Sequence, residues 1–221
     1  MPTSAVSAVS SAVALSLALV LTGGCSALSA STPAKAVPDA AGAAGELAGL
    51  AVKGRAPKTG YSRAQFGPAW EDVDHNGCDT RNDILARDLA DETMRPGSRC
   101  VVVTGTLADP YTGRTLTFRK AQASAVQIDH VVALSDAWQT GAQQWDGSRR
   151  EAFANDPRNL QATDGPTNQQ KGDADAASWL PPNTAYRCTY ARRQVQVKAA
   201  YDLWVTPAER DALARVLAGC P

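Results

Sequence analysis

Apolar residues along the chain change their spacing from segment to segment, and that change predicts a mixture of helices and strands. The segment 82–90 places its apolar residues on one face of a helix. The run CVVVTGTL at 100–107 predicts a strand, and the turn sequence DPYTG separates it from a hairpin partner at 115–118. The first half of the folded region is therefore predicted to hold a helix followed by a hairpin.

The second half continues this alternation. The run VQIDHVVAL begins as an extended segment, and a further short strand or turn is expected to start at Asn159. The helix that follows would begin at an N-cap formed by Asp164 or Thr167. Near the C-terminus, the sequence TPAE matches a capping box with proline at the first helical position. Helices are predicted at 137–144, 149–154, 167–179, 192–204 and 207–218.

The N-terminus has the pattern of an export signal. Residues 5–21 are apolar or small and carry no charge, and they end at the sequence TGGC. This predicts a signal peptide at 1–24 and resembles a bacterial lipoprotein signal, in which cleavage precedes a cysteine that is then acylated. The protein is accordingly expected outside the cell or on its surface, anchored to the outer face of the membrane through lipid on Cys25.

Two details depart from the lipoprotein pattern. Leu21 lies four residues before Cys25 instead of three, and no basic residue precedes the apolar run. Ordinary secretion and a retained membrane helix therefore stay open as alternatives.

The segment after the signal is rich in alanine, glycine, serine and proline and contains no aromatic residue until Tyr61. Such a composition offers little apolar surface to offset the entropy of ordering. It predicts a flexible tether at 25–60. Aromatic residues then follow in quick succession, so a single folded domain is expected at 61–221.

The cysteine count agrees with export. If Cys25 carries lipid, four cysteines remain, and an even number in an oxidising compartment favours two disulfides. Pairing neighbours along the chain closes modest loops, which predicts the bonds Cys78–Cys100 and Cys188–Cys220. Zinc is the rival explanation for four cysteines, but no C-x-x-C spacing is present to hold it.

Charge gives no sign of a nucleic-acid partner. The chain has 22 basic and 22 acidic residues, so no overall basic field surrounds it. Any attraction for phosphates must be local.

The residues that point to a chemistry are Asp129 and His130, followed by Asn159, Asn168 and Lys171. The chain has only two histidines, and one of them directly follows an aspartate at the end of an apolar run. Phosphodiester hydrolysis needs a base for water, a cation to neutralise developing charge and a proton or cation for the leaving oxygen. One histidine beside one metal could supply all three.

These residues resemble the HNH endonuclease family, and its secreted bacterial members in particular. The resemblance implies an α+β fold in which a small ββα-metal (His-Me finger) core is embedded in helices. It makes His130 the general base, Asp129 a metal ligand, and Asn159 the residue that orients the imidazole. Asn168 takes the position of the second metal ligand, and Lys171 a position where the family carries a lysine that could contact phosphate.

Position 168 departs from the family, which usually has histidine there. An amide oxygen is a harder ligand than imidazole, so the divalent metal is expected to be Mg²⁺. The stretches QIDHVVALSDAW, FANDPRNLQAT, NQQKGD and WLPPN extend the resemblance over the whole predicted domain. It implies a monomeric, metal-dependent endonuclease that cuts DNA, or alternatively RNA, with low sequence specificity.

The acidic segment 72–83 allows several interpretations. Its oxygen side chains at alternate positions approximate a calcium loop, although the last position is Asp83 instead of glutamate. A turn held by Cys78, with Asp79 or Asn82 capping the next helix, is the simpler alternative. Arg81 or Arg63 could also grip a substrate phosphate through a planar guanidinium.

Two other functions remain open at this stage. One is a disulfide-bonded surface module that binds without catalysis, and the other is a different metal-dependent phosphoester hydrolase.

Overall fold

A computed structural model describes residues 1–3 and 37–221. The body of the predicted signal peptide (1–24) and the proposed lipidation site Cys25 lie outside the described residues. In the described ranges, no helix combines the length and the apolar character needed to cross a membrane.

The described residues form a mixed helical and stranded fold, which confirms the predicted α+β class. The helices are α1 (Ala40–Gly49), α2 (Thr80–Asp88), α3 (Leu134–Gln139), α4 (Gly147–Asn155), α5 (Gly165–Lys171), α6 (Arg187–Ala200) and α7 (Pro207–Ala218). The strands are β1 (Leu89–Met94), β2 (Val102–Ala108), β3 (Thr115–Arg119), β4 (Val126–His130) and β5 (Leu160–Asp164).

The first sheet is antiparallel with strand order β1-β2-β3. The predicted hairpin is its β2–β3 pair, in which Thr104 faces Arg119 and Ala108 faces Thr115. Strand β1 was not predicted, because the sequence pattern extended the preceding helix to residue 90. Helix α2 instead ends at Asp88, and Leu89 opens a strand that buries its side chain in the core between α2 and both sheets.

Strands β4 and β5 form a separate antiparallel pair that leads directly into α5. His130 faces Leu160 at one end of this ribbon, and Val126 faces Asp164 at the other. The Asp164 carboxylate caps α5 by accepting the Thr167 N–H at 2.9 Å. This is the predicted two-strand and helix core.

Two glycines set the limits of α5. A Cβ at Gly165 would lie 2.1 Å from the Ser124 carbonyl oxygen, so only glycine fits where the strand meets the helix. Gly172 has φ of 55°, a positive value that favours glycine and cannot continue a right-handed helix. The predicted helix at 167–179 is therefore too long, because Gly172 stops it after Lys171.

The prediction of a flexible tether at 25–60 is wrong for residues 37–60. Asp39 caps α1 by accepting the Gly42 N–H at 2.7 Å, and Ala43 and Leu47 are buried against α6 and α7. Alanine is the best helix former, and small side chains allow close packing. This segment has little apolar surface of its own, so its composition predicted disorder. It folds because it packs against helices that lie about 150 residues further along the chain.

Both predicted disulfides are confirmed. Cys78–Cys100 connects the loop before α2 to the segment before β2, and Cys188–Cys220 connects α6 to the end of the chain. Zinc binding by these four cysteines is excluded because all four sulfurs are in disulfides.

Candidate active site

A cleft of about 490 Å³ opens beside the end of β4. Its walls come from β4, α5, the start of α3 and the loop before α2. The side chains that give it chemical character are Lys58, Tyr61, Arg63, Trp70, Arg81, Gln127, Asp129, His130, Ser135, Asn168 and Asp173. The structure thus brings together five of the predicted site residues, namely Arg63, Arg81, Asp129, His130 and Asn168.

His130 is held in one defined tautomer. Its Nε2 lies 2.8 Å from the Ala154 carbonyl oxygen, and a carbonyl can only accept a hydrogen bond. Nε2 must therefore carry the proton, which leaves the lone pair on Nδ1. Burial lowers the pKa of His130 from 6.5 to about 3, and the charges of Arg63 and Lys171 act in the same direction. The imidazole is thus neutral at pH 7 and has one nitrogen free to accept a proton.

Asp129 is fixed through both of its carboxylate oxygens. Oδ2 accepts a hydrogen bond from the Tyr111 hydroxyl at 2.5 Å, and Oδ1 pairs with the Lys171 ammonium at 3.0 Å. All three side chains are buried, and Asp129 also lines the cleft. Each oxygen keeps a further lone pair, so the carboxylate can still bind a cation.

Lys171 occupies a different position from the one expected for a phosphate contact. Its side chain is completely buried, and besides pairing with Asp129 it donates to the His130 carbonyl oxygen at 2.8 Å. A buried ammonium with two such partners does not reach substrate. We therefore correct the expected role: Lys171 secures the backbone and the carboxylate beneath the cleft.

Asn168 lies on the same side of the ribbon as Asp129. Its Nδ2 donates to Gln127 Oε1 at 2.9 Å, and Gln127 and Asp129 project from the same face of β4 because they are two residues apart. With Nδ2 committed to Gln127, the amide oxygen is the atom of Asn168 that could bind a cation.

Within the described part of the chain, Asn159 makes no hydrogen bond to the His130 imidazole, and it acts on the backbone next to it instead. Its fully buried side chain accepts the Val132 N–H at 2.8 Å and donates to the Val132 carbonyl at 3.2 Å. Its own carbonyl accepts the Val131 N–H at 2.7 Å. Asn159 therefore fixes the backbone immediately after His130.

The two predicted arginines differ in how far other residues of the protein hold their side chains. The Arg81 guanidinium lies 3.3 Å from the Val126 carbonyl oxygen and 3.4 Å from that of Ala123, so it is partly committed to the protein. Within the described residues, no hydrogen bond or ion pair holds the exposed side chain of Arg63. Lys58, which the sequence interpretation placed in a tether, adds a third cation and pairs with Asp173 at 2.8 Å.

The donors of the cleft fit a hard divalent cation. A carboxylate and an amide oxygen on one face of a ribbon are ligands of the type that Mg²⁺ accepts together with water and phosphate. A second acidic group, formed by Asp136, Asp175 and Glu209, is fully buried. It already holds two cations, because Lys198 pairs with Asp136 and Glu209 at 2.9 Å and Arg55 reaches Asp136 and Asp175 at 3.0 and 2.8 Å. That group is a charge network of the core and not a metal centre.

The segment 72–83 behaves as the turn that was the simpler interpretation. Asp72 and Asp74 direct their carboxylates to backbone N–H groups of Asn76 and Gly77 at 2.9–3.2 Å. Asp79 caps α2 by accepting the Asn82 N–H at 2.9 Å. Nothing in these contacts favours calcium.

Sequence reasoning missed two aromatic residues of the site. Tyr111 lies in the turn before β3, where a buried tyrosine between DP and TG was the only signal. Trp70 is one of the aromatic residues that follow Tyr61 in quick succession, and nothing in the sequence distinguishes it from the others. Its ring nevertheless lies almost parallel to that of His130, with 6.2 Å between centroids and 15° between planes.

A ribbon and a helix that hold a buried histidine, a carboxylate and an amide at one cleft place the protein among α+β domains with a ββα core. A family model for the C-terminal domain of GmrSD restriction endonucleases matches residues 79–216, well over half of the chain. The chain belongs to this nuclease-related family.

The chain is also similar to a protein from a fungus. A protein of Arthroderma benhamiae described as "Uncharacterized secreted protein" is 42% identical over 187 residues, which cover 83% of this chain and 87% of that protein. No solved structure matches this chain.

Proposed function

We propose that this protein is an exported, metal-dependent endonuclease of the HNH type. It hydrolyses phosphodiester bonds of DNA or RNA with low sequence specificity. The observation that carries the proposal is the position of His130, whose Nε2 is hydrogen-bonded to the Ala154 carbonyl, in a cleft with Asp129, Asn168 and three cations. Membership of a restriction-endonuclease family supports the same reaction class.

In this proposal His130 is the general base. Nδ1 accepts a proton from water, and the Ala154 carbonyl stabilises the imidazolium that results, since Nε2–H keeps its hydrogen bond. Asn159 is a positioning residue, because it fixes the backbone at Val131 and Val132 on which the imidazole depends.

Asp129 and Asn168 would hold the metal, most simply Mg²⁺. When bound, the cation supplies charge neutralisation at the phosphate and at the departing oxygen. Tyr111 and Lys171 keep the Asp129 carboxylate in one orientation. Arg63, Arg81 and Lys58 offer positive charge to the backbone of the substrate. Contacts of this kind do not read bases, which accounts for the low specificity, and one chain supplies the whole cleft, as expected for a monomer.

Export is part of the proposal. Two disulfides fit an oxidising compartment, and the Arthroderma relative is described as secreted. We keep the signal peptide at 1–24 and the lipid anchor on Cys25 as proposals, with the folded domain beginning near residue 37 instead of 61.

The decisive experiment compares histidine variants. The purified protein is incubated with plasmid DNA and with RNA in the presence of MgCl₂ or of EDTA. Since general-base catalysis contributes roughly 10²–10⁴-fold, His130→Ala should lose activity by about that factor. The matched control is His75→Asn, which alters the only other histidine at an exposed position with φ of 57° that asparagine tolerates.

Equal cleavage by wild type and His130→Ala would refute the proposal. So would the absence of cleavage by wild type with Mg²⁺, Mn²⁺, Ca²⁺ and Zn²⁺ in turn. In that case a binding module, or a hydrolase for envelope phosphate polymers, becomes the better explanation, and release of phosphate from such polymers separates those two.

A further inference from the structure

The cleft has a second compartment on the far side of the Trp70 and His130 rings. This compartment, of about 240 Å³, shares Arg63, Trp70, His130 and Leu134 with the cleft. Its remaining lining is mainly apolar and includes Phe66, Pro68 and Ala154. A cationic, oxygen-rich chamber and an apolar one thus meet at the proposed base.

Trp70 is the wall between the two chambers, and its backbone is strained. It has φ of 64°, which is rare for a bulky residue and costs about 1–3 kcal/mol. The conformation is held by Thr80, whose N–H donates to the Trp70 carbonyl at 3.3 Å and whose hydroxyl donates to the Glu71 carbonyl at 2.5 Å. Two residues before Thr80, the Cys78–Cys100 bond ties the same loop to the sheet region. The loop is therefore built to present this indole beside His130.

The chemistry of the two chambers together selects the ligand. An anion suits Arg63, Arg81 and Lys58, whereas a flat apolar group suits the indole of Trp70 and the ring of Phe66. A nucleotide joins such an anion and such a flat group through a short sugar. In a duplex, the faces of each base are covered by its neighbours, so they are not available to an indole.

Building on the proposed function, we propose that the apolar compartment receives an unpaired nucleobase against Trp70. The substrate class is therefore single-stranded nucleic acid or unpaired segments. Stacking on one aromatic residue accounts for roughly 5- to 150-fold in affinity per base and tolerates any base.

The test uses one oligonucleotide sequence in three forms: single-stranded, fully duplex, and single-stranded with an abasic position moved along it. Binding is measured in EDTA, where no cleavage occurs, and cleavage is measured with MgCl₂. The variants are Trp70→Leu, which keeps an apolar side chain but removes the aromatic face, and Trp70→Phe, which restores a face. The matched control is Trp145→Leu, because Trp145 is also partly buried but lines neither chamber. Thermal unfolding verifies that all variants are folded.

We expect wild type to bind and cut the single strand better than the duplex. Trp70→Leu should weaken single-strand binding by roughly 5- to 150-fold, with recovery in Trp70→Phe and no change in Trp145→Leu. For the wild type, an abasic position next to the cleavage site should weaken single-strand binding as much as Trp70→Leu does. Two results would overturn the proposed base-binding role of the compartment but leave the nuclease proposal intact. One is that wild type binds and cuts single strand and duplex equally well. The other is that Trp70→Leu slows cleavage of both forms without weakening binding. Failure to cleave any form would overturn the nuclease, and the EDTA binding data would still decide the compartment.

Discussion

The Lys171 ammonium is buried beside a carboxylate that we assign to a metal, and its removal gives a quantitative test of the site. Lys171→Met keeps the length and apolar stem of the side chain but leaves the Asp129 carboxylate without its ion-pair partner. Breaking one side of a buried pair costs about 3–5 kcal/mol. For a domain of this size, that corresponds to a fall in Tm of roughly 6–20 °C.

Divalent metal should reverse part of this loss. In the wild type, the Lys171 ammonium offsets part of the Asp129 charge, so Mg²⁺ bound there stabilises the folded protein less than it would without Lys171. In Lys171→Met the carboxylate is uncompensated, and Mg²⁺ then stabilises the folded state by an amount that grows with its concentration. Unfolding is followed by circular dichroism across a MgCl₂ series, with Lys120→Met as the control for an exposed lysine.

Two results would refute this reasoning. One is a loss of less than about 1 kcal/mol in Lys171→Met, which would place the pair in the range of surface ion pairs. The other is equal stabilisation of wild type and variant by Mg²⁺, which would mean that the Lys171 charge does not influence metal binding.

Three other changes have defined outcomes. Asn159→Ala leaves the buried N–H and C=O of Val132 unpaired, so denaturant unfolding should show a loss of about 2–5 kcal/mol in the free energy of unfolding. A variant as stable as the wild type would show that Asn159 does not fix the backbone at Val132. Burial raises the pKa of Glu209 from 4.5 to about 7. The folded state therefore holds the extra proton, and this contribution to stability is lost as pH rises from about 4.5 through 7. Glu209→Gln keeps a capping-box acceptor at the start of α7 but cannot titrate, so it should remove the fall in Tm over this pH range. An unchanged fall in Tm would mean that another group causes it. Replacing Cys188 and Cys220 together by alanine opens a loop of 32 residues and should cost about 4 kcal/mol, whereas unfolding that is insensitive to reductant in the wild type would argue against the bond.

Local patterns along the chain were sufficient to predict the elements whose signals are short in range. The capping box at Thr206 and Glu209 forms as expected, and α7 spans the predicted residues. The ribbon and helix around His130 follow from strand patterns and an Asp164 N-cap. The elements that the sequence did not predict form through contacts with other elements. Helix α1 packs against α6 and α7, and strand β1 pairs with β2.

In the candidate site, too, some features could be predicted from the sequence and others could not. Residue types and spacing, together with the resemblance to HNH endonucleases, pointed to Asp129, His130 and Asn168, which line one cleft. They could not reveal that the Ala154 backbone would fix the tautomer, because any residue can offer a carbonyl. Nor could they reveal that the charge of Lys171 would be turned inward, since helical lysines are usually exposed.

The segment between α1 and Tyr61 packs into the domain, and this limits where a protease could cut the chain without damaging the fold. Arg55 is ion-paired to Asp136 and Asp175, and the Gly54 carbonyl accepts the indole N–H of Trp204 at 3.1 Å. A protease that shed an intact, active domain would have to cut upstream of α1. A recombinant fragment beginning at Tyr61 would instead lose Lys58 from the cleft and uncover the faces of α6 and α7 that α1 covers.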